Sequence, residues 1–208
     1  MSATHARKKP FLRLATAAVA MVAALGMAAC TGGASTSSSS SSSAQVGDRS
    51  PEQIKEAGEI VIGIFSDKAP FGYIDADGKP AGYDVVYGDR IAADLGVTAK
   101  YVPVDAAART EVLASNKVDI TLANFTVTPE RAEKVDFANP YFKVSLGVVS
   151  PTSAEITDVS QLAGKTLIVT KGTTAEAYFE ANHPEVKLQK YDQYSDAYQA
   201  LEDGRGDA

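Results

Sequence analysis

The segment ANFTVTPERAEKVDFANPYF, Ala123 to Phe142, holds the side chains best suited to meeting a charged group. Arg131 presents a planar guanidinium fork that fits a carboxylate through two parallel hydrogen bonds, a geometry lysine does not reproduce. Its ordinary alternative is a solvated arginine at the start of a helix. Asn124 and Thr126 lie two apart at the end of an apolar run, so on a strand both face one side and offer polar atoms together. Gly172, Thr173 and Thr174 stand between a strand pattern and a helix pattern, where unpaired backbone N–H groups favour an anion. The same trio reads as a glycine turn with a threonine N-cap, and one loop can serve both purposes. Catalytic chemistry is thinly represented. Of two histidines, His5 lies in the leader and His183 precedes Pro184 in a loop. There is no GxSxG, no phosphate loop of Walker type and no Cys/His cluster, and nothing calls for a cofactor or metal.

The elements that must position these residues follow from periodicity. IVIGIF (Ile60 to Phe65) is a continuous apolar run suited to a strand buried on both faces. Val85, Ile91, Ala92 and Leu95 recur at helical spacing, with Gly96 placed to stop the helix. Asp75 to Gly78 reads as a tight turn joining two short extended pieces. AKYVPV, AARTEVLAS and VDITLA (Val118 to Ala123) then complete a βαβαβ series. A second series follows Pro151: a helix around Val159 to Leu162, the strand KTLIVT, a helix from Thr174 to Ala181, the strand EVKLQKY and the helix DAYQALEDG. The stretch YFKVSLGVVSP between them reads as an extended connection with a strand-like hinge at 148–151. The expectation is an α/β protein of two lobes, 51–147 and 152–208, with a site in the cleft at the carboxyl ends of the strands. At Gly206 to Ala208 the pattern predicts a further strand beginning, so the chain reads as the N-terminal portion of a longer protein with an incomplete second lobe.

The N-terminus carries a different message. His5, Arg7, Lys8, Lys9 and Arg13 precede the apolar run Leu14 to Met27, fourteen residues against the roughly 20 needed to span a bilayer. Residues 1–29 are expected to be a secretory signal. Met27, Ala28 and Ala29 precede Cys30, the only cysteine, in a pattern that resembles a bacterial lipobox. That resemblance makes Cys30 the lipidation site, its lipid holding the chain to a membrane. The almost unbroken serine tract from Ser35 to Ser43 has nothing to bury and reads as a flexible tether over 30–50. A net charge of −6 argues against nucleic acid as a partner.

Taken in order and spacing, DKAPFGYIDADGKPAGYDV, the TPER box, VDFANPYF, KGTTAEAYF and YSDAYQALEDGRGDA resemble the family 3 extracellular solute-binding proteins, the polar amino-acid receptors of ABC importers. The resemblance runs from Glu59 to Ala208. It implies a two-lobe periplasmic-binding-protein-like type II fold, a small-molecule amino acid as ligand, an ABC permease as partner, an exported monomer anchored at the outer face of the cytoplasmic membrane, and no enzymatic step. It places Arg131 on the ligand α-carboxylate, supports Asn124 and Thr126 as polar contacts, and makes the Gly172–Thr174 loop the other half of the carboxylate site. Family members usually hold the ammonium through an aspartate a few residues beyond the position of Ala208. Asp207 falls instead on a structural strand-entry aspartate.

Specificity is expected near Phe65, Lys68, Phe71, Tyr73, Ala106 and Arg109. Receptors for basic amino acids place rings where Lys68 and Ala106 stand, so the sandwich for a cationic side chain is missing. Arg109 matches an arginine that meets the side-chain carboxylate in relatives taking acidic ligands. DKAPFG, AAxR and ANFTVTPERAEKVDF most resemble the cysteine or cystine subgroup. Cysteine, cystine or another small polar amino acid is therefore favoured, with glutamate, aspartate or glutamine next. For Lys68 and Arg109 a structural salt bridge competes evenly with ligand contact. A dehydratase of the same fold and the ectodomain of a sensor are the remaining alternatives.

Overall fold

The structure, a computed structural model, describes residues 45–208. The expected signal, Cys30 and most of the tether lie outside the described residues.

Helix α1 (Pro51–Ala57) starts at a reciprocal cap between Ser50 and Gln53 and stops at Gly58, whose φ of 71° suits glycine. Strand β1 (Glu59–Ile64) follows and forms the centre of the fold. Its apolar run is buried throughout, as the sequence predicts. Ile60, Ile62 and Ile64 enter one cluster with Ile54, Ala92 and Leu122. Val61, followed by Phe65, packs on the opposite side with Val104, Val112, Val118 and Ala123. Each Val, Leu, Ile or Phe side chain among them contributes about 2 kcal/mol by leaving water.

Three short strands, β2 (Asp67–Lys68), β3 (Gly72–Ile74) and β4 (Pro80–Ala81), form a small antiparallel sheet beside it. The β3–β4 turn is the one read at Asp75–Gly78: the Asp75 carboxylate accepts from the amides of Asp77 and Lys79. Helix α2 (Tyr83–Leu95) ends at Gly96. Strand β5 (Thr98–Pro103), helix α3 (Arg109–Ala114) and strand β6 (Ile120–Thr121) complete a parallel sheet of order β5–β1–β6. Strand β6 is shorter than the run Val118 to Ala123; ahead of it Val118 is fully buried in the core and the Asp119 carboxylate accepts from the Val61 amide. Helix α4 (Pro129–Ala132) begins at Thr128, whose hydroxyl accepts from the Arg131 amide.

Residues 136–151 adopt no regular structure and are almost wholly exposed. The connection read as extended, with a strand-like hinge at 148–151, forms no strand there, and among the described residues no neighbouring strand supplies it a ladder. The helix expected at Val159–Leu162 is a 3-10 turn, capped reciprocally by Asp158 and Gln161. Beyond it, β7 (Thr166–Thr170), α5 (Thr174–Asn182), β8 (Lys187–Tyr191) and α6 (Tyr194–Glu202) form a second α/β unit with β7 parallel to β8. Leu162, Leu167, Val169, Phe179 and Val186 make its core. No helix among the described residues is long and apolar enough to cross a membrane.

The packed chain begins earlier than the tether boundary at residue 50 suggests. Val46 packs on the first core. Arg49 forms an ion pair with Asp119, with side-chain exposures of 8% and 2%.

Candidate functional site

A cleft of about 740 Å³ runs between the end of the first parallel sheet and the β7–α5 loop. Lys68, Phe71, Arg109, Asn124, Thr126, Arg131, Thr173, Thr174 and Tyr194 all line it. Most of the residues singled out in the sequence therefore meet in one place.

Arg131, at the third position of α4, donates from Nη1 to the Thr126 carbonyl at 2.7 Å and from Nη2 to the Gly172 carbonyl at 2.9 Å. Its guanidinium carbon lies 4.7 Å from the centre of the Phe125 ring. Burial lowers its pKa, with Glu130 opposing. It is half-buried and held by backbone oxygens, not solvated at a helix start.

Arg109 is more deeply placed, at 3% exposure. Nε donates to the Ala106 carbonyl, Nη1 to those of Ala123 and Asn124, and Nη2 to that of Gly172. Four of its five donor directions are thus taken by backbone, and no salt bridge forms. Burial, then the nearby Arg131, lowers its pKa to about 10. Arg109 braces the loop ends of the cleft and adds positive charge to the wall.

Lys68 sits among rings. Its ammonium is 4.1 Å from the centre of Tyr194, 5.4 Å from Phe65 and 5.6 Å from Phe71. It donates to Asn124 Oδ1 and to the Tyr194 hydroxyl, both at 3.0 Å. Burial and the Arg109 charge bring its pKa down to about 8. The salt bridge considered for Lys68 does not form either.

The Gly172–Thr174 loop behaves as glycine turn and cap. Gly172 has φ 71°, and a Cβ there would stand 2.4 Å from the Ala107 Cα. The Thr173 hydroxyl caps α5 by accepting from the Glu176 amide. The loop's anion is internal: Glu176 Oε2 accepts from the Gly172 amide at 2.7 Å. Thr173-x-x-Glu176 is a capping-box spacing, a signal present in the sequence that points to this carboxylate.

Phe65 is buried in the first core and stacks edge-on against Tyr194, 5.4 Å between centres, so it supports the wall without lining it. Tyr194 itself carries no local sequence signal: it opens α6 and reaches Lys68, 126 positions away. Among the described residues no group of three His, Cys, Asp or Glu side chains is arranged to hold a metal ion.

Two α/β units meet at a cleft walled by guanidinium, threonine and asparagine. The chain belongs to the bacterial extracellular solute-binding proteins, family 3, which it matches over residues 60–201. Its fold is the α/β, periplasmic-binding-protein-like type II fold. The structure of the solute receptors for L-cysteine of Neisseria gonorrhoeae is 55% identical, with a TM-score of 0.75 over 76% of this chain and 66% of that one. The cysteine-binding protein of Campylobacter jejuni is 52% identical, with a TM-score of 0.73 over 76% and 64%. The L-cystine-binding protein of Escherichia coli is 30% identical over 158 residues, 75% of this chain and 59% of the relative. The chain spans about three fifths of the length of the curated relatives it matches.

Proposed function

We propose that this protein captures an amino acid outside the cytoplasm and hands it to the permease of an ABC importer, with cysteine or cystine as the favoured ligand. The observation that carries the reading is the position of Arg131. Its fork lies on the cleft wall between Thr126 and the Gly172 loop, where a ligand α-carboxylate replaces two neutral carbonyls with a charged acceptor. Asn124, Thr126, Thr173 and Thr174 supply the neutral polar contacts, and Lys68 and Phe71 bound the side-chain end. The relatives named for cysteine support the choice of ligand. Glutamate, aspartate and glutamine stand second.

In this reading residues 51–147 and 152–208 are lobes that swing about a hinge at 148–151, and the ligand favours the closed form through contacts available only there. Residues 1–29 direct export, and lipid on Cys30, with the serine tract from Ser35 to Ser43 as the tether, holds a monomer at the outer face of the cytoplasmic membrane. Calorimetric titration of the full-length protein, lacking only its signal, with cysteine, cystine, glutamate, aspartate, glutamine and arginine tests the assignment. Saturable binding of cysteine or cystine with the ligand recovered unchanged is the expected result. Binding of none overturns it, and conversion of the ligand would make the protein an enzyme.

A further inference from the structure

Helix α6 lacks a cap of its own. Gln193, the residue at its N-cap, makes no capping bond with its side chain. The cap comes from the other side of the cleft: Asp67 Oδ2 accepts from the amides of Tyr194, at 2.7 Å, and Ser195, at 3.2 Å. These residues are 127 and 128 positions apart in sequence. The contact is reinforced on both flanks. Lys68 donates to the Tyr194 hydroxyl, Phe65 meets its ring, and the Gln193 side chain bonds the Asp105 carboxylate. Asp67, Lys68, Phe65 and Asp105 belong to the first α/β unit; residues 193–195 belong to the second.

We infer that Asp67 is a positioning residue for ligand capture: it caps α6 in trans, so the cap exists only when the lobes are together. This rests on the amino-acid receptor reading for the ligand, though the cap itself does not. A carboxylate at a helix N-terminus satisfies amides that would otherwise face water and meets the positive end of the helix dipole. Both gains are lost when the lobes part. Because Tyr194 lines the cleft and bonds Lys68, the cap also fixes one wall of the side-chain end. Asp67 need not touch the ligand to raise its affinity. It lowers the cost of reaching the closed form.

The test uses full-length protein carrying Cys30→Ser, with spin labels at Ala93→Cys on α2 and Ala181→Cys on α5, both exposed positions. The distance distribution between the labels reports on the lobes, and calorimetry reports on cysteine binding. Asp67→Ala is expected to shift the distribution to longer distances and weaken binding about three- to thirtyfold, the range for loss of one cap. Asp67→Asn is expected to restore most of both, since an amide oxygen caps nearly as well. Ser195→Pro, which removes one donor in a first turn that tolerates proline, shifts distances the same way by less, and serves should Asp67→Ala not fold. Unchanged distances and affinity in Asp67→Ala overturn the inference, as does an Asp67→Asn variant as impaired as the alanine. If the parent protein binds no amino acid, the receptor reading fails while the label distances still decide the cap.

Discussion

Arg109 and Arg131 donate to one and the same acceptor, the carbonyl oxygen of Gly172, each at 2.9 Å. Two cations converging on a neutral oxygen is an arrangement that invites a negative charge. Burial, with the Arg131 charge adding to it, depresses the Arg109 pKa, and burial likewise depresses that of Arg131. Phe125 presents its ring to both, 4.6 Å and 4.7 Å from the guanidinium carbons. The Gly172 carbonyl thereby joins the two α/β units at the point where the proposed ligand carboxylate would bind.

Gly172→Ala should therefore damage both stability and closure. The left-handed backbone at φ 71° alone costs an alanine about 1–2 kcal/mol. The added Cβ would also meet Ala107 backbone atoms at 2.4 and 2.7 Å, which do not yield as a flexible side chain does. A lower melting temperature and weaker ligand binding are expected together. Normal values of both would mean that the loop relaxes freely.

Arg131→Lys separates charge from geometry. The ammonium keeps the positive charge and loses the two parallel donors, so a ligand carboxylate gives up one charge-assisted bond of about 1.5–3 kcal/mol. At least a tenfold loss of affinity by calorimetry is expected, with Arg131→Ala falling below detection. Undiminished binding in Arg131→Lys would place the ligand carboxylate elsewhere.

Most of the frame was legible because its signals are local. The apolar run of β1, the Gly96 stop, the Asp75–Gly78 turn and the Thr173 cap each follow from a few adjacent residues. What escaped depends on distant partners. Tyr194 gains its place from Asp67 and Lys68, more than 120 positions earlier. The strand-like hinge expected at 148–151 has no ladder partner among the described residues. The fate of Arg109 turned on four backbone carbonyls, whose directions no residue pattern encodes.

Asp84 gives a pH signature. It is 1% exposed, its Oδ2 has no hydrogen-bond partner, and burial, opposed by Lys68, pushes its pKa up to about 7. Between about pH 4 and 7 the folded protein holds a proton that the unfolded chain has released. This residue's contribution to stability therefore falls as pH rises through that window, and the cost is fully present above it. Asp84→Asn removes the slope. Denaturant unfolding at pH 4.5, 6 and 7.5 should show the variant gaining on the parent by up to about 1.4 kcal/mol per pH unit. A constant difference across the three would mean that the Asp84 carboxyl is ionised throughout.

The Arg49–Asp119 pair predicts where the folded chain truly begins. Asp119 accepts from the amides of Gly47 and Val61 as well as from Arg49. Burial alone would raise its pKa, but the Arg49 bond and the two amides outweigh that and hold it below the usual carboxylate value. Its stabilisation is accordingly full above about pH 4 and is lost as pH falls below that. Arg49→Ala leaves the carboxylate buried with its cation gone and should cost about 3 kcal/mol, the lower part of the range for breaking a buried pair. It should also release Val46 and Gly47 from the first core, so that a protease cleaves near residues 45–49 faster than in the parent. Little loss of stability and unchanged cleavage would show that the chain packs from Pro51 onward and that the pair merely decorates its edge.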